Sequence, residues 1–563
     1  MAVIDPSRTF PSDFNDTAQV NTWLTAGVGT GVFVKVWALA RSGYESGMID
    51  TASGGDRWML SALLNSLKVQ GGRLAILPFE LSTVLPFTVE VPKGVALDLN
   101  GSTVEFQLTG GLRAFSLNSK SQLYNGTVTV VGTSPSGGGD KQAPVSGGDQ
   151  ATGVGLSRAK IHDLVVSTNR SNGNGVVLFG ESVGCEIKNI TAPSSATIGR
   201  VVALEWGGSS SGTGHPHNCT IENIRAETLS FGATAGSNAF VVWLSSAFNI
   251  TVSNVYADSA FGVLGVFTGD KSNDFAPLRY KNQIGLGITA DNITCGNVKK
   301  YGIRCYGKGS DSVNVLPQSV VITNPVLKAD GTIADALGIL CEFSDGVRVV
   351  KPNISGFQTG VATGQEAKNL TITGGKIWGN RGSGVSIGSS AGGVTGCEVD
   401  GVELYSNNQA GYNGVGGAAA IFIQNCSRWA VKGCKFGVAS GETQQYSVRV
   451  EDTAPDGKLS DNHTFGLVAG GAAYVNGSST NYALGTSGEN NTVASGLNGY
   501  GGAPIFQTDW LGRKQFIISG SAAPASGTWQ QGDKCFYSTP AAGGYAGSVY
   551  TLSGWKGFGQ VQA

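Results

Sequence analysis

One short phrase, apolar–x–Asn–apolar–x–Ala, recurs along the chain and constrains its fold more than any other feature. It occurs in CEIKNITA, CTIENIRA and ITVSNVYA, which begin at Cys185, Cys219 and Ile250. Asn, Asp and Gly tolerate the left-handed backbone conformation, so this position predicts a sharp corner between two strands. Twelve corners are predicted, at Gly101, Asn125, Asp163, Asn189, Asn223, Asn254, Asn297, Asn324, Asn353, Gly374, Gly401 and Gly433.

The spacing of these corners predicts a solenoid. Their mean separation is roughly thirty residues, within the range of repeat arrays, and its variation suits loops inserted into a common coil. Ile, Val and Leu alternate around each corner, and a second apolar strand follows, as in GVVLFG, FVVWLS and LGILCE. The sequence therefore predicts an all-β, right-handed, single-stranded parallel β-helix of about twelve or more turns. Stacked Asn side chains are expected to hydrogen-bond along the corner column.

The two ends of the chain differ from the repeats. Met59, Leu60, Leu63, Leu64 and Leu67 have helical spacing, which predicts a short helix over 56–70 that covers the open end of the coil. FNDTAQVNTWL is a candidate for a second short helix. We divide the chain into an attachment and capping segment (1–55), the β-helix (56–440), further coil turns with a Gly-rich connection (441–502) and a small C-terminal β module (503–563).

Composition excludes several classes of protein. The net charge is −1 with no basic block, so neither nucleic acid nor an anionic membrane is an expected partner. No segment has the apolar length of a membrane span, and the N-terminus lacks the pattern of a secretion signal, so folding in a cytoplasm is expected. The nine cysteines contain no CxxC pair. Cys185, Cys219 and Cys397 share one repeat position and are predicted to be buried thiols rather than disulfides or zinc ligands.

The ends of the coil resemble a known family. The predicted helix, GGRLAILP and LPFTVEVPKGVALDLNGSTV together look like the start of the pectate-lyase-like β-helix of phage tailspikes. The C-terminal segment, with GTWQQGD and GWKGFG, is similar to a β module that often ends such chains. The resemblance implies a homotrimer that binds, and often cleaves, bacterial surface polysaccharide. It also implies a place on the virion tail, reached directly or through an adaptor protein at the N-terminus.

One candidate site lies on the second strand of successive repeats. In the predicted register Leu204, Leu244, Cys305 and Cys341 point inward, so Glu205, Tyr306 and Glu342 point outward in one row. Trp243 also points outward, where a sugar ring could stack on it, or where a loop or another subunit could cover it. Arg304 and Glu342 either bind substrate or form a surface ion pair.

Glycoside hydrolysis needs two carboxylates, and two pairs are candidates. Glu227 and Asp258 occupy equivalent positions on successive turns, and their side chains either form a coupled pair or separate into solvent. The second pair is Glu205 with Asp270 or Asp274, two residues of a long polar insertion that is either a functional loop or a trimer contact.

His215 and His217 follow Glu205 on the next loop. His215 is a candidate substrate-binding residue or general base, although an ordinary surface loop is the simpler interpretation. The sequence lacks the G-H-G element and adjacent Asp pair that polygalacturonases carry, and it lacks an acidic calcium cluster like that of pectate lyases. We therefore expect an activity that needs no metal and no cofactor.

Three functions are compatible with these features. The first is a phage tailspike that hydrolyses capsule, O-antigen or exopolysaccharide. The second is a receptor-binding tail adhesin without catalysis. The third is a bacterial β-helix polysaccharide lyase.

Overall fold

The structure is a computed structural model. It describes residues 72–75, 88–108, 113–131, 143–169, 173–194, 198–209, 212–229, 239–268, 285–307, 319–331, 333, 335–407, 419–438, 444, 446–451, 453–465, 474–476, 482–484, 487–488, 505–508, 513–518, 521–524 and 529–563. The described residues form two compact units, one ending at Asn297 and the other beginning at Val298. The expected helices near the N-terminus, and the segment 1–55, lie outside the described residues.

Strands are short and numerous in the first unit. They are β1 (Gly72–Ala75), β2 (Val89–Val91), β3 (Val95–Asp98), β4 (Thr103–Gln107), β5 (Phe115–Leu117), β6 (Gln122–Val131), β7 (Val145–Gly147), β8 (Lys160–Thr168), β9 (Gly173–Phe179), β10 (Glu186–Ala192), β11 (Ile198–Glu205), β12 (Gly207–Ser209), β13 (Gly212–Gly214), β14 (Thr220–Leu229), β15 (Phe240–Ser245) and β16 (Thr251–Thr268). Strand β17 (Thr289–Gly307) carries the chain past Asn297.

The second unit also consists of short strands. Its strands are β18 (Val321–Thr323), β19 (Val326–Lys328), β20 (Leu337–Glu342), β21 (Arg348–Val350), β22 (Asn353–Ser355), β23 (Thr359–Thr363), β24 (Thr371–Thr373), β25 (Lys376–Trp378), β26 (Val385–Ile387), β27 (Val394–Thr395), β28 (Glu398–Asp400), β29 (Glu403–Tyr405), β30 (Ala419–Ile423), β31 (Cys426–Ser427), β32 (Ala430–Lys432), β33 (Lys435–Gly437), β34 (Tyr446–Val450), β35 (Lys458–Ser460), β36 (His463–Thr464), β37 (Tyr474–Asn476), β38 (Tyr482–Leu484), β39 (Ser487–Gly488), β40 (Ile505–Thr508), β41 (Lys514–Ile518), β42 (Lys534–Tyr537), β43 (Tyr545–Thr551) and β44 (Gly554–Gln560).

Strands pair in parallel with the equivalent strand one coil turn, or rung, further along. In the first unit β6, β8, β10, β14 and β16 pair in this order, and so do β7, β9, β11, β15 and the end of β16. In the second unit three parallel sheets form. The first contains β18, β21, β24, β28, β32 and β35, the second β19, β22, β25, β29, β33 and β36, and the third the end of β17 with β20, β23, β26, β30 and β34.

Side chains alternate between the coil interior and its outer surface. Leu204, Leu244, Cys305 and Cys341 are all fully buried, as the predicted register required. Apolar side chains from successive rungs fill the interior, so each rung covers the apolar face that its neighbour cannot bury alone. The prediction of an all-β parallel coil is confirmed for the described residues.

Ten of the twelve predicted corners have the expected left-handed backbone, with φ between 51° at Asn324 and 77° at Gly101. The other two were placed wrongly. Asn292 (φ 54°), not Asn297, occupies the corner of its rung, and Lys351 (φ 51°), not Asn353, occupies the corner two rungs later.

Asn side chains at the corners of the first unit form a continuous hydrogen-bonded ladder. Asn189 Nδ2 donates to Asp163 Oδ1 at 2.7 Å, and Asn223 donates to Asn189 at 2.9 Å. Asn254 donates to Asn223 at 3.0 Å, and Asn292 donates to Asn254 at 3.2 Å. Asn189, Asn223 and Asn254 each donate to one rung and accept from the next, so the ladder joins the corners in a column and confirms the predicted stack.

A second column of left-handed residues precedes the same strands, and the recurring Asn phrase does not predict it. Arg158, Gly184, Asn218, Asn249, Ser319, Gly346, Asn369, Gly396 and Arg428 have φ between 50° and 71°. The residue after this corner points inward and is often Cys. Cys185, Cys219 and Cys397 are buried and free, as predicted, and Cys219 Sγ donates to the carbonyl of His217 at 3.3 Å.

A smaller sheet ends the chain. Strand β41 pairs in parallel with β42, and β42, β43 and β44 form an antiparallel meander. Phe516, Ile518 and Cys535 form its buried core. Trp529 and Trp555, from the GTWQQGD and GWKGFG elements, pack edge to face at 5.2 Å between ring centroids over this core. The small C-terminal β module is thus a compact sheet with its own aromatic core.

The corner ladder yields a stability prediction. Asn223→Ala removes two ladder hydrogen bonds and places a β-carbon residue at φ 55°, so it should lower the free energy of unfolding by about 1–3 kcal/mol. Gly401→Ala is the matched control, because Gly401 has φ 64° and open space around it and so reports backbone strain alone. Thermal unfolding midpoints measured at one heating rate compare the two. Equal decreases in the unfolding midpoint would show that the ladder hydrogen bonds do not stabilise the corner.

Candidate functional site

The outer surface of β11 and β15 carries an ion pair stacked on an aromatic ring. Arg200 Nη1 contacts Glu205 Oε1, and the Arg200 guanidinium lies 4.9 Å from the ring centre of Trp243. Trp243 is also flanked by Phe240 and Phe267, with ring centroids at 5.5 and 5.6 Å. Glu205 and Trp243 therefore lie in one cluster, joined through Arg200.

This cluster is buried, which corrects the expectation of an exposed Trp243. Trp243 is 5% exposed and Glu205 6%. Trp243 pairs in register with Ala203 on one rung and Gly265 on the next. A β-carbon at Gly265 would lie 2.4 Å from the Trp243 ring, so the indole lies flat against the backbone of the next rung. Of the two interpretations of Trp243, a covered aromatic is the one observed.

His215 and His217 are also buried, so the expectation of a surface loop is wrong. His215 is 1% exposed, and its Nδ1 lies 3.1 Å from the Ser246 carbonyl oxygen. Burial lowers the pKa of His215 to about 4, and the contacts with Ser246 and Glu181 oppose this shift only in part. The imidazole of His215 is thus neutral at neutral pH. His217 stacks on Phe248 at 4.6 Å.

Glu227 and Asp258 lie opposite each other on β14 and β16, as the repeat predicted. The flanking pairs Ala226 with Ala257 and Thr228 with Ser259 fix this register. Glu227 is half-buried and Asp258 is exposed. On the next rungs in each direction the equivalent positions are Pro193 and Gly296, so neither adjoining rung carries a long side chain at this position.

Each of these carboxylates is oriented by its own donor. Glu227 Oε2 accepts from the backbone N–H of Ser194 at 3.2 Å and from its hydroxyl at 3.4 Å. Asp258 Oδ1 accepts from the Tyr256 hydroxyl at 2.6 Å, and this contact raises the pKa of Tyr256. Tyr256 is 41% exposed, and the guanidinium of Arg225 lies 5.6 Å from its ring centre. Two carboxylates and an aromatic ring are thus presented together on one exposed face.

In the second unit Arg304 and Glu342 form the expected ion pair. Arg304 Nη2 donates to Glu342 Oε2 at 2.8 Å, and its guanidinium lies 4.4 Å from the ring centre of Tyr306 and 4.9 Å from that of Tyr301. Tyr306 and Glu342 are in register on successive strands. A β-carbon at Gly364 would lie 2.3 Å from Glu342 Cγ, so Glu342 rests against the backbone of the following rung. All three predicted residues are half-buried and in contact.

A further outward row was missed by the sequence analysis. On the second sheet of the second unit, Trp378 and Tyr405 are in register, with Gly437 and then Phe465 on the following rungs. Beside them runs a charged row of Lys376, Glu403, Lys435 and His463. We call the two rows the aromatic strip. The sequence does indicate this row, because GGKIWGN and GVELYSN place Trp378 and Tyr405 four residues after the Gly374 and Gly401 corners.

Some expectations lie beyond what the structure describes. Asp270 and Asp274 fall outside the described residues. Within the described ranges, no group of three or more His, Cys, Asp and Glu side chains is arranged to hold a metal ion. No helix in the described part of the chain has the length and hydropathy to span a membrane.

No protein-family model matches the sequence, and no curated protein sequence matches it. Solved structures do show similarity. Tailspike protein 3 of bacteriophage CBA120 is 11% identical (TM-score 0.43, over 90% of this chain and 67% of that one). A mutant tailspike protein of E. coli bacteriophage HK620, solved with a pentasaccharide, is 12% identical (TM-score 0.42, over 77% and 76%). The A-module of the Azotobacter vinelandii mannuronan C-5 epimerase AlgE6 is 12% identical (TM-score 0.31, over 77% and 95%). The chain is thus structurally similar to phage tailspikes and alginate epimerase modules.

The buried ion pair leads to a prediction about stability. Glu205→Ala should lower the free energy of unfolding by about 3–5 kcal/mol, because the charge of Arg200 then stays buried without its carboxylate. Replacing both residues, Arg200→Met with Glu205→Leu, should recover most of this loss. Lys299→Met is the control, since it breaks the exposed 3.2 Å pair with Asp330 and should cost at most about 1 kcal/mol. Chemical unfolding of the four proteins measures the differences, and a Glu205→Ala loss no larger than that of Lys299→Met would contradict the prediction.

His215 yields a prediction about pH. Its pKa is about 4 in the folded chain and near 6.5 when exposed, so the unfolded chain binds the extra proton first as the pH falls. Stability should therefore decrease between about pH 6.5 and 4, by up to about 3 kcal/mol more in the wild type than in His215→Gln. Unfolding midpoints across this range test the difference, with His463→Gln as a control on the exposed face. Parallel wild-type and His215→Gln profiles would refute it.

Proposed function

We propose that this chain is a phage tailspike that binds a bacterial surface polysaccharide and cleaves it by glycoside hydrolysis. The observation that carries the proposal is the arrangement of Glu227 and Asp258. They face each other from successive rungs of a rigid coil, they are accessible, and each is oriented by a hydrogen bond. The sequence resemblance to tailspikes, at both the start of the coil and the C-terminal module, supports the same class of substrate.

The two carboxylates are suited to different roles. Asp258 is the more exposed of the two, and the Tyr256 hydroxyl holds its Oδ1 at 2.6 Å, so we assign it as the base or nucleophile. Glu227 is the less exposed of the two, and we assign it as the acid that protonates the leaving oxygen. Tyr256 keeps its phenolic proton, because the contact with Asp258 raises its pKa. Its exposed ring then provides a face for a neighbouring sugar.

Other predicted residues keep supporting roles in this proposal. Arg304, Tyr306 and Glu342 are half-buried, with edges that a sugar hydroxyl can reach, and we propose that they bind substrate. Trp243 and His215 are buried, and we propose that they hold the surrounding rows in place. Glu205 with Asp270 remains the alternative catalytic pair.

The assembly follows from the same resemblance. We propose a homotrimer that folds in the host cytoplasm and attaches to the virion tail, or to an adaptor protein, through residues 1–55. The coil over 56–440 would carry the polysaccharide site at the outside of the host cell, with 441–502 leading to the C-terminal module at 503–563. Light scattering of the full chain tests the trimer directly.

Digestion of purified polysaccharides tests the activity. The protein is incubated with a panel of bacterial capsules, O-antigens and exopolysaccharides, and the products are assayed for new reducing ends and for ultraviolet absorbance. New reducing ends without unsaturated products support hydrolysis. Unsaturated ends would instead favour a polysaccharide lyase, and binding without new ends would favour a non-catalytic adhesin.

The carboxylate assignment gives a separate prediction. Asp258→Asn and Glu227→Gln should each reduce kcat by at least about 100-fold, while binding and the oligomeric state are kept. Glu222→Gln is the matched control, because Glu222 lies on the same strand but does not belong to the carboxylate pair. Its Oε2 lies 3.3 Å from Lys188 Nζ. Glu205→Gln is assayed beside them. Full activity of Asp258→Asn and Glu227→Gln, with loss in Glu205→Gln, would move the site to the alternative pair.

A further inference from the structure

The aromatic strip presents fixed rings at the surface. Trp378 is 39% exposed, and its indole N–H donates to Asn353 Oδ1 at 3.1 Å. Lys376 Nζ lies 5.0 Å from the ring centre of Trp378 and 5.3 Å from that of Tyr405. These contacts fix the orientation of both rings before any ligand arrives, which reduces the entropy lost on binding.

Glycine on the next rung brings the rings into one surface. Gly437 follows Tyr405 in register, and a β-carbon there would lie 2.3 Å from the Phe465 ring and 2.9 Å from the Tyr405 ring. The two rings therefore meet above Gly437, with centroids 5.7 Å apart. Trp378, Tyr405 and Phe465 thus extend along the sheet as a row of ring faces and edges.

The charged row beside the rings carries a surplus of positive charge. Lys435 Nζ lies 3.6 Å from Glu403 Oε1, so the one carboxylate of this row already has a cation. Lys376 contacts the two rings, and none of the ion pairs among the described residues includes it. Its ammonium group is exposed and available to an anion.

This combination fits a glycan better than a protein partner. Protein interfaces are depleted of Lys and Glu at their centre, whereas here Lys376, Glu403 and Lys435 run directly beside the aromatic row. A sugar ring has an apolar face, which can stack on an aromatic ring, and a rim of hydroxyls, which can bond to charged side chains.

We propose that the aromatic strip is a second, non-catalytic polysaccharide-binding surface for an acidic glycan. Sugar rings would stack on Trp378 and Tyr405, and a carboxylate of the glycan would pair with Lys376. The inference deepens the proposed function by naming an acidic substrate class. It concerns binding only, so it can fail while cleavage is confirmed, and the reverse also holds.

An array of immobilised bacterial polysaccharides, some containing uronic acids and some neutral, tests the proposal with the full chain. The wild type should bind uronate-containing glycans, and Trp378→Ala should weaken that binding by roughly 3- to 10-fold. Lys376→Glu should weaken binding to uronate-containing glycans more than binding to neutral glycans, because only the former lose an ion pair as well as the fixed ring orientation. Lys160→Gln is the control and should leave binding unchanged, because Lys160 pairs with Glu186 on strands outside the strip. Glu222→Gln, assayed in parallel, should bind as the wild type does, because Glu222 lies outside the strip and pairs with Lys188.

Three results would overturn the proposal. One is wild-type binding to none of the acidic glycans. Another is unchanged affinity in both Trp378→Ala and Lys376→Glu. The third is a change of oligomeric state in Trp378→Ala, detected by light scattering, which would make the strip a contact between copies of this chain. Circular dichroism of each variant separates a binding defect from a folding defect.

Discussion

The rungs that the structure describes depend on residues that accept a left-handed backbone at the same place. Asn189, Asn223 and Asn254 bend the backbone within β10, β14 and β16, and the amides of the three side chains connect the rungs. An amide suits this position because it donates one hydrogen bond and accepts another, so each corner side chain bonds to those on the neighbouring rungs. A shift of one residue at a corner would turn the inward residues outward, so the corners also fix which side chains reach the surface.

Glycine on a neighbouring rung decides how a large outward side chain lies. Trp243 lies against Gly265, Glu342 against Gly364 and Tyr405 beside Gly437, and a β-carbon at each glycine would collide with the larger group. The spacing between rungs is only about 4.8 Å, so a bulky side chain has room to lie along the surface only where its neighbour is small. Glycine thus orients the functional rows as well as forming corners.

Corners and buried positions were predictable because they follow from local chemistry that repeats. Asn297 was mistaken for a corner because CGNV, from Cys295 to Val298, matches apolar–x–Asn–apolar, whereas the ladder continues through Asn292. Lys is not a residue type that favours the left-handed conformation. Lys351 adopts it because the equivalent residues on the neighbouring rungs, Asn324 and Gly374, place a corner there. Exposure was less predictable. Whether Trp243 or His215 is covered depends on segments distant in the sequence, while the register of Glu227 with Asp258 depends only on the repeat.

The contrast between the two carboxylate clusters follows from what an acid–base pair requires. Glu205 is paired with Arg200, whose guanidinium stacks on Trp243, and removing one charge from a buried pair is costly. A group held this way is poorly placed to exchange protons with a substrate. Glu227 and Asp258 instead accept hydrogen bonds from uncharged groups, those of Ser194 and Tyr256, and the adjoining rungs carry small residues beside them. Their protons can be exchanged without dismantling the coil, and for that reason we assign the chemistry to the exposed pair.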